Sequence, residues 1–311
     1  MNWRGCGGLV PLAVVGLGWT LLVVRRARVL RRLRSGELSG IGARPLVGVL
    51  YEEYGEGRLY PRVLEAAKVL PAPTGPLGVH VLNRLVCIEV AAGRYREALE
   101  WRGRWRTLAG TGDFERLVRI NEAEAVACLG QLEASLALTD FTDARSPFVR
   151  TGRALHRAWV LAELGRLDEG RAALRAEDVA LAQLPSAFSA EWHFARFALE
   201  FAARDWKAAA AALVDAGRVV ERESSRRNLA FLSGRLAFAQ EDFTLALAHF
   251  ERGAASVYRA QGGAALLEWG EALARLGRPA EARAAWQRCL AEDAQSPCAA
   301  GAAARLGADQ A

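Results

Sequence analysis

Four histidines and five cysteines are all that this chain of 311 residues offers toward metal or thiol chemistry. His80, His156, His193 and His249 lie far apart, and no H-E-x-x-H is present. Cys6, Cys87, Cys128, Cys289 and Cys298 are odd in number and include no C-x-x-C pair, so neither a zinc site nor a disulfide framework follows. Cys87 and Cys128 fall in apolar runs, where a thiol behaves as a small hydrophobe. No G-x-S-x-G, P-loop or G-x-G-x-x-G occurs in a context that would build a nucleophile elbow or a phosphate cradle. Glu52 with Glu53, and Glu221 with Glu223, read as solvated charges on helices. No catalytic constellation is present, so the expectation is a non-enzymatic protein without metal or cofactor.

Isoleucine is scarce, valine is not enriched, and long proline or serine tracts are missing, which argues against a β fold and against a disordered linker protein. Alanine, leucine, arginine and glutamate, the good helix formers, are abundant instead. The chain is 52% apolar and can bury a substantial core. Acidic residues are absent from the first 34 positions, which hold seven arginines out of a formal net charge of +6. The remainder sums to about −1, so the basic character resides in one short arm and gives no argument for nucleic acid.

That arm follows an uncharged stretch. Gly8 to Val24 carries no ionisable side chain, and its 17 residues would span about 26 Å as a helix, close to the thickness of a hydrocarbon core. The run ends directly in the sequence RRARVLRRLR rather than in a small-residue cleavage site. A single-pass helix is therefore expected, with the basic side and everything after it in the cytoplasm, at an inner or plasma membrane. Arg25, Arg26, Arg28, Arg31, Arg32 and Arg34 would meet anionic lipid, with Val29, Leu30 and Leu33 as a narrow apolar stripe between them. No aromatic interleaves these arginines for base stacking, so they are not read as a nucleic-acid arm. The organisation expected is an anchor over 1–24, a basic segment and linker over 25–45, a repeat domain over 46–305 and a tail over 306–311.

The repeat domain is visible as a period. A Gly or polar residue, an apolar residue two on and a small residue three further recur as Gly93-Tyr95-Ala98, Gly130-Leu132-Ser135 and Gly165-Leu167-Gly170. They return as Arg204-Trp206-Ala209, Glu241-Phe243-Ala246 and Gly277-Pro279-Ala282. The middle members are spaced by 37, 35, 39, 37 and 36 residues, and a weaker unit stands upstream at Gly57 and Leu59. Apolar residues at three- and four-residue steps flank each turn, as in Leu266, Trp269, Leu273 and Leu276, so each unit is an αα-hairpin.

This pattern resembles the tetratricopeptide repeat, a helix–turn–helix of about 34 residues. Gly234, Ala246 and Phe250 occupy the small, small and aromatic places of its motif, as do Gly270, Ala282 and Trp286 in the next unit. Phe197, Glu89 and Glu200 depart from it. The resemblance implies an all-α, right-handed solenoid of about six to seven repeats whose first helices line a groove for a protein or peptide partner. An alanine-rich helix after Ser296-Pro297 is expected to cap its end.

Candidate contacts for that partner are Asn121, Trp192, Arg196, Arg226, Arg227 and Arg235. Asn121 stands where some members of the family place an Asn of a carboxylate clamp, but Asn83, Cys87, Gly152 and His156 hold the places of its basic residues, so the clamp is incomplete. Trp192, Phe194, Phe197, Phe201, Phe231 and Phe238 form an aromatic stripe, and the neighbouring arginines would suit an apolar anchor with an acidic flank. Trp101 and Trp105 among Arg102, Arg104 and Arg106 are a further candidate. The function expected is a membrane-tethered scaffold or adaptor, with a structural subunit of a stable membrane complex as the alternative.

Overall fold

The computed structural model describes residues 27–29, 31–32, 48–49, 75–104, 112–178, 186–256 and 259–308. Their regular structure is helical throughout. Six hairpins follow one another, each a first helix and a second: α1 (Gly75–Ala91) with α2 (Tyr95–Arg104), α3 (Asp113–Cys128) with α4 (Leu132–Leu138), and α5 (Pro147–Glu163) with α6 (Leu167–Arg175). They continue as α7 (Ser186–Ala202) with α8 (Trp206–Val219), α9 (Glu223–Ala239) with α10 (Phe243–Ala254), and α11 (Arg259–Arg275) with α12 (Pro279–Glu292). A last helix, α13 (Pro297–Ala308), packs on α12 and α11 as the expected cap. The expected membrane helix at 8–24 and the upstream unit at Gly57 and Leu59 lie outside the described residues. Among those residues no helix is long and apolar enough to cross a membrane.

The six turns share one backbone conformation. Gly93, Gly130, Gly165 and Gly277 have positive φ, and so do Arg204 at 59° and Glu241 at 64°. At each turn this residue's N–H bonds three residues back and the next N–H bonds five back, as in Gly93 to Val90 and Arg94 to Glu89, both 3.0 Å. The left-handed residue thereby satisfies the last carbonyls of the first helix and reverses the chain into the second. Asp205 and Asp242 then cap their second helices, accepting from the N–H of Ala208 and Leu245 at 2.9 and 3.0 Å.

Within a hairpin the two helices meet at small residues. A Cβ added at Gly270 would lie 2.1 Å from Nε1 of Trp286, and one at Gly234 would lie 2.6 Å from the Phe250 ring. The buried aromatic of the second helix occupies the volume that the missing side chain leaves. The departures from the repeat motif have local answers. Glu89 is fully buried, accepts from Trp101 Nε1 at 3.2 Å and pairs with Arg94 at 2.6 Å. Glu200 pairs with Arg171 at 2.6 Å, and Phe197 stacks obliquely on Phe201 at 5.2 Å between centroids.

Hydrophobic residues of α1 to α3 form one core cluster, and those of α7 to α13 form a larger one. Val29 and Val49 belong to the first. This corrects the reading of Val29 as part of a lipid-facing stripe: its isopropyl group is buried among protein side chains, while Arg28 and Arg31 remain exposed.

The first and last repeats touch. Helix α11 contacts α1, and the turn between α12 and α13 docks on the start of α2. There Tyr95 donates its hydroxyl to Asp293 Oδ1 at 2.9 Å, with both residues fully buried. The Arg96 N–H donates to Gln295 Oε1 and Gln295 Nε2 donates to Glu97 Oε2, each at 3.0 Å. Pro297 sits against Gly130 at the turn of the second hairpin. Among the described residues the first and last hairpins are therefore joined at this seam.

Candidate partner-binding face

The repeat decides which first-helix positions are equivalent. Residues at equal distance before each turn residue occupy equivalent places on the first helices. One such line is Cys87, Glu124, Trp159, Ala198, Arg235 and Glu271, and another includes Leu117, Glu191, Asn228 and Ala264. Leu117, Trp159, Ala198 and Ala264 pack against core clusters, whereas Cys87, Glu124, Glu191, Arg235 and Glu271 belong to none of them.

The face is acidic. Glu191 on α7 keeps exposed surface, while the helices packed around its carboxyl and the Glu124 carboxylate of α3 raise its pKa to about 7. Arg222 and a hydrogen bond from Ser225, both on the α9 side, pull the other way. Helices α3 and α7 are not consecutive, so this coupling runs between separate repeats. Farther along, Glu268 of α11 is raised by burial and by Glu163 of α5 and Glu271, against the opposing charge of Arg235. Arg235 pairs with Glu268 at 3.1 Å and lies over the Phe201 ring at 4.8 Å from its centroid. A cleft of about 440 Å³ opens beside this pair, bounded by Phe238, Leu267, Arg275, Gly301 and Ala304.

The expected contact residues divide. Asn121 is on the inner side, and its amide donates to Asn83 Oδ1 of α1. Arg235 is also inward but is held by Glu268. Trp192 is a correction: at 5% exposure it is core between α5 and α7, with Ala158, Leu174 and Leu199. Trp101 is likewise buried and bonded to Glu89; Trp105 lies outside the described residues. Arg227 bonds Glu223 at 3.0 Å and caps the carbonyl of Ala255 at the end of α10, a structural task. Arg226 is exposed beside Glu223 at 3.6 Å, and Arg196 lies 3.7 Å from Asp215. No basic groove for an acidic flank results. Of the six arginines of the basic arm, Arg28, Arg31 and Arg32 fall within described helical residues and Arg25, Arg26 and Arg34 outside them.

Sequence reasoning passed over Glu124, Glu191 and Asn228. Their signal is positional: Glu191 and Asn228 stand at the same distance ahead of Arg204 and Glu241, which aligning the units on their turns exposes. Burial also raises the thiols, Cys289 to about 12 and Cys298 to about 11, which keeps them protonated. Among the described residues no group of three or more His, Cys, Asp or Glu side chains is placed to hold a metal ion.

No family model matches the chain, and no curated protein matches it. Solved structures do. A Rap protein complexed with Competence and Sporulation Factor aligns with a TM-score of 0.55 at 11% identity, over 89% of this chain and 77% of that one. At that identity the likeness is one of fold: an all-helical repeat protein of tetratricopeptide type.

Proposed function

We propose that this chain is a non-enzymatic scaffold that holds a protein partner on the inner face of its helical repeats. The observation that carries the reading is that Glu124 and Glu191 keep solvent-reached surface on the non-consecutive first helices α3 and α7. Carboxylates left on such a face suit a partner of complementary charge. The Rap structure, solved with a bound factor, supports a binding role for a fold of this kind. The run from Gly8 to Val24 and the arginines after it support tethering at an inner or plasma membrane with the repeats in the cytoplasm, the basic arm meeting anionic lipid.

Two measurements test this. Affinity capture with the full-length protein in detergent, read by mass spectrometry, should return one dominant protein that is lost from a Glu124→Arg/Glu191→Arg variant. Retention of every captured protein by that variant would remove the inner face from the function. A reporter fused to the C-terminus should be active only in the form that reads the cytoplasm; activity on the opposite side would overturn the orientation.

A further inference from the structure

At the end of the repeats, α9, α11 and the cap α13 border the cleft of about 440 Å³. That volume falls among small-molecule sites, which run from about 300 to 1,000 Å³. The apolar wall of the cleft is Phe238 of α9, Leu267 of α11, and Gly301 and Ala304 of α13. A Cβ added at Gly301 would lie 3.2 Å from Leu267 Cδ2, so α13 comes close against α11 where this wall forms. Phe238 and Leu267 pack on the core yet stay only partly buried. The surface they leave is apolar, and covering it is favourable.

The charged groups at the cleft decide what covers it. Glu268 pairs with Arg235 at 3.1 Å, and Glu271 pairs with Arg305, so both carboxylates are answered within the protein. Arg275 differs. It is exposed, lies over the Phe243 ring at 5.9 Å from its centroid, and makes no ion pair among the described residues. The cleft therefore joins an apolar wall to one uncompensated cation. A peptide laid along that wall would bring backbone N–H and C=O groups that hydrocarbon side chains do not pair, a costly burial. A molecule with a hydrocarbon body and a single anionic group avoids that cost.

We infer that this cleft binds a small amphiphilic monoanion, a saturated acyl carboxylate, with its chain against Phe238, Leu267 and Ala304 and its carboxylate at Arg275. Because α13 supplies one wall, the bound ligand ties the cap to α9 and α11. The site is built on helices other than those that carry Glu124 and Glu191, and it stands whether or not a protein partner docks there.

The test is equilibrium dialysis of radiolabelled octanoate against the full-length protein in nanodiscs of neutral lipid, with empty discs as the blank. Saturable binding is expected, tightening by up to about fourfold per added CH₂ from hexanoate to octanoate. Octylammonium should bind at least fivefold more weakly than octanoate, and Arg275→Glu should reverse that preference. Ala304→Phe, which fills the cleft from an exposed position, should abolish binding. Arg218→Gln, which removes an exposed cation of α8, should leave it unchanged, and the helical circular dichroism of all three variants should match the parent. On adding octanoate, amide exchange should slow in α9, α11 and α13 and stay the same in α1 and α3. Octanamide bound as tightly as octanoate, an Arg275→Glu variant that behaves as the parent, or slower exchange along the whole chain overturns the inference. So does the absence of saturable binding above the empty discs. Slower exchange in these helices with an uncharged apolar dipeptide, and none with octanoate, would make the cleft a seat for a partner's side chains and overturn it too.

Discussion

At the scale of single residues the inner face and the core make opposite use of ionisable groups. Glu191 titrates near 7 because the folded chain disfavours its charge, so the unfolded chain ionises first. Stability is then lost as pH rises from the ordinary carboxylate range through 7. Replacing Glu191 by Gln should raise the thermal midpoint at pH 8 by about 2 °C or more and change it little at pH 5. Equal shifts at both pH values would deny the enclosed charge. His156 behaves in the other direction. Ser135 donates to the carbonyl of Ala123 at 2.8 Å, so its oxygen accepts from Nε2–H of His156 at 2.7 Å. Burial and the neighbouring Arg157 hold the imidazole neutral, lowering its pKa to about 4. The stability it contributes is present above the ordinary histidine value and is lost as pH falls toward 4, in total about 3 kcal/mol. Chemical denaturation between pH 7 and 5 should show this loss in the parent and a flatter profile in His156→Gln.

At the scale of the element the turn residue is the governing unit. Arg204 and Glu241 hold a left-handed conformation that costs an ordinary residue about 1–2 kcal/mol, partly offset by the greater freedom of unfolded glycine. Arg204→Gly and Glu241→Gly should each stabilise the fold by about 0.5–1 kcal/mol, whereas Gly277→Ala, which meets no neighbouring atom, should cost about 1 kcal/mol through φ alone. Urea midpoints of the three variants decide the matter, and destabilisation by the glycines would mean that Arg204 and Glu241 contribute contacts that outweigh their backbone. This element explains what was legible. The turns appear in the sequence because their φ constrains residue type, and the crossing points appear because Gly234 and Gly270 leave room for an aromatic ring. The polar line was hidden because a first helix such as α7 packs against four neighbouring helices. Trp192 and Glu191 are adjacent in sequence, yet one enters the core and the other keeps exposed surface. Periodicity alone finds the apolar side of such a helix but not which narrow polar line faces inward.

At the scale of the whole molecule the seam between the first and last repeats decides how the protein unfolds. In an open solenoid each repeat contacts only its neighbours, so stability is a sum of local terms and the ends fray independently. Here Tyr95, Arg96 and Glu97 are tied to Asp293 and Gln295, close to two hundred positions along the chain. This tie couples the first and last described hairpins into one cooperative unit. The hydroxyl of Tyr95 is the buried member of that tie, and its bond to a carboxylate belongs to the stronger class, about 1.5–3 kcal/mol when removed. Tyr95→Phe combined with Gln295→Gly should therefore lower overall stability by about that amount. It should also change its distribution: amide exchange in α1, α2, α12 and α13 should quicken while α7 and α9 keep their protection. X-ray scattering should show a larger maximum dimension as the ring opens. Uniformly faster exchange along the chain with an unchanged scattering profile would mean that the seam contributes energy without closing the solenoid. Selective loss at the two ends would mean that the tie of Tyr95, Arg96 and Glu97 to Asp293 and Gln295 couples the described end repeats into one cooperative unit.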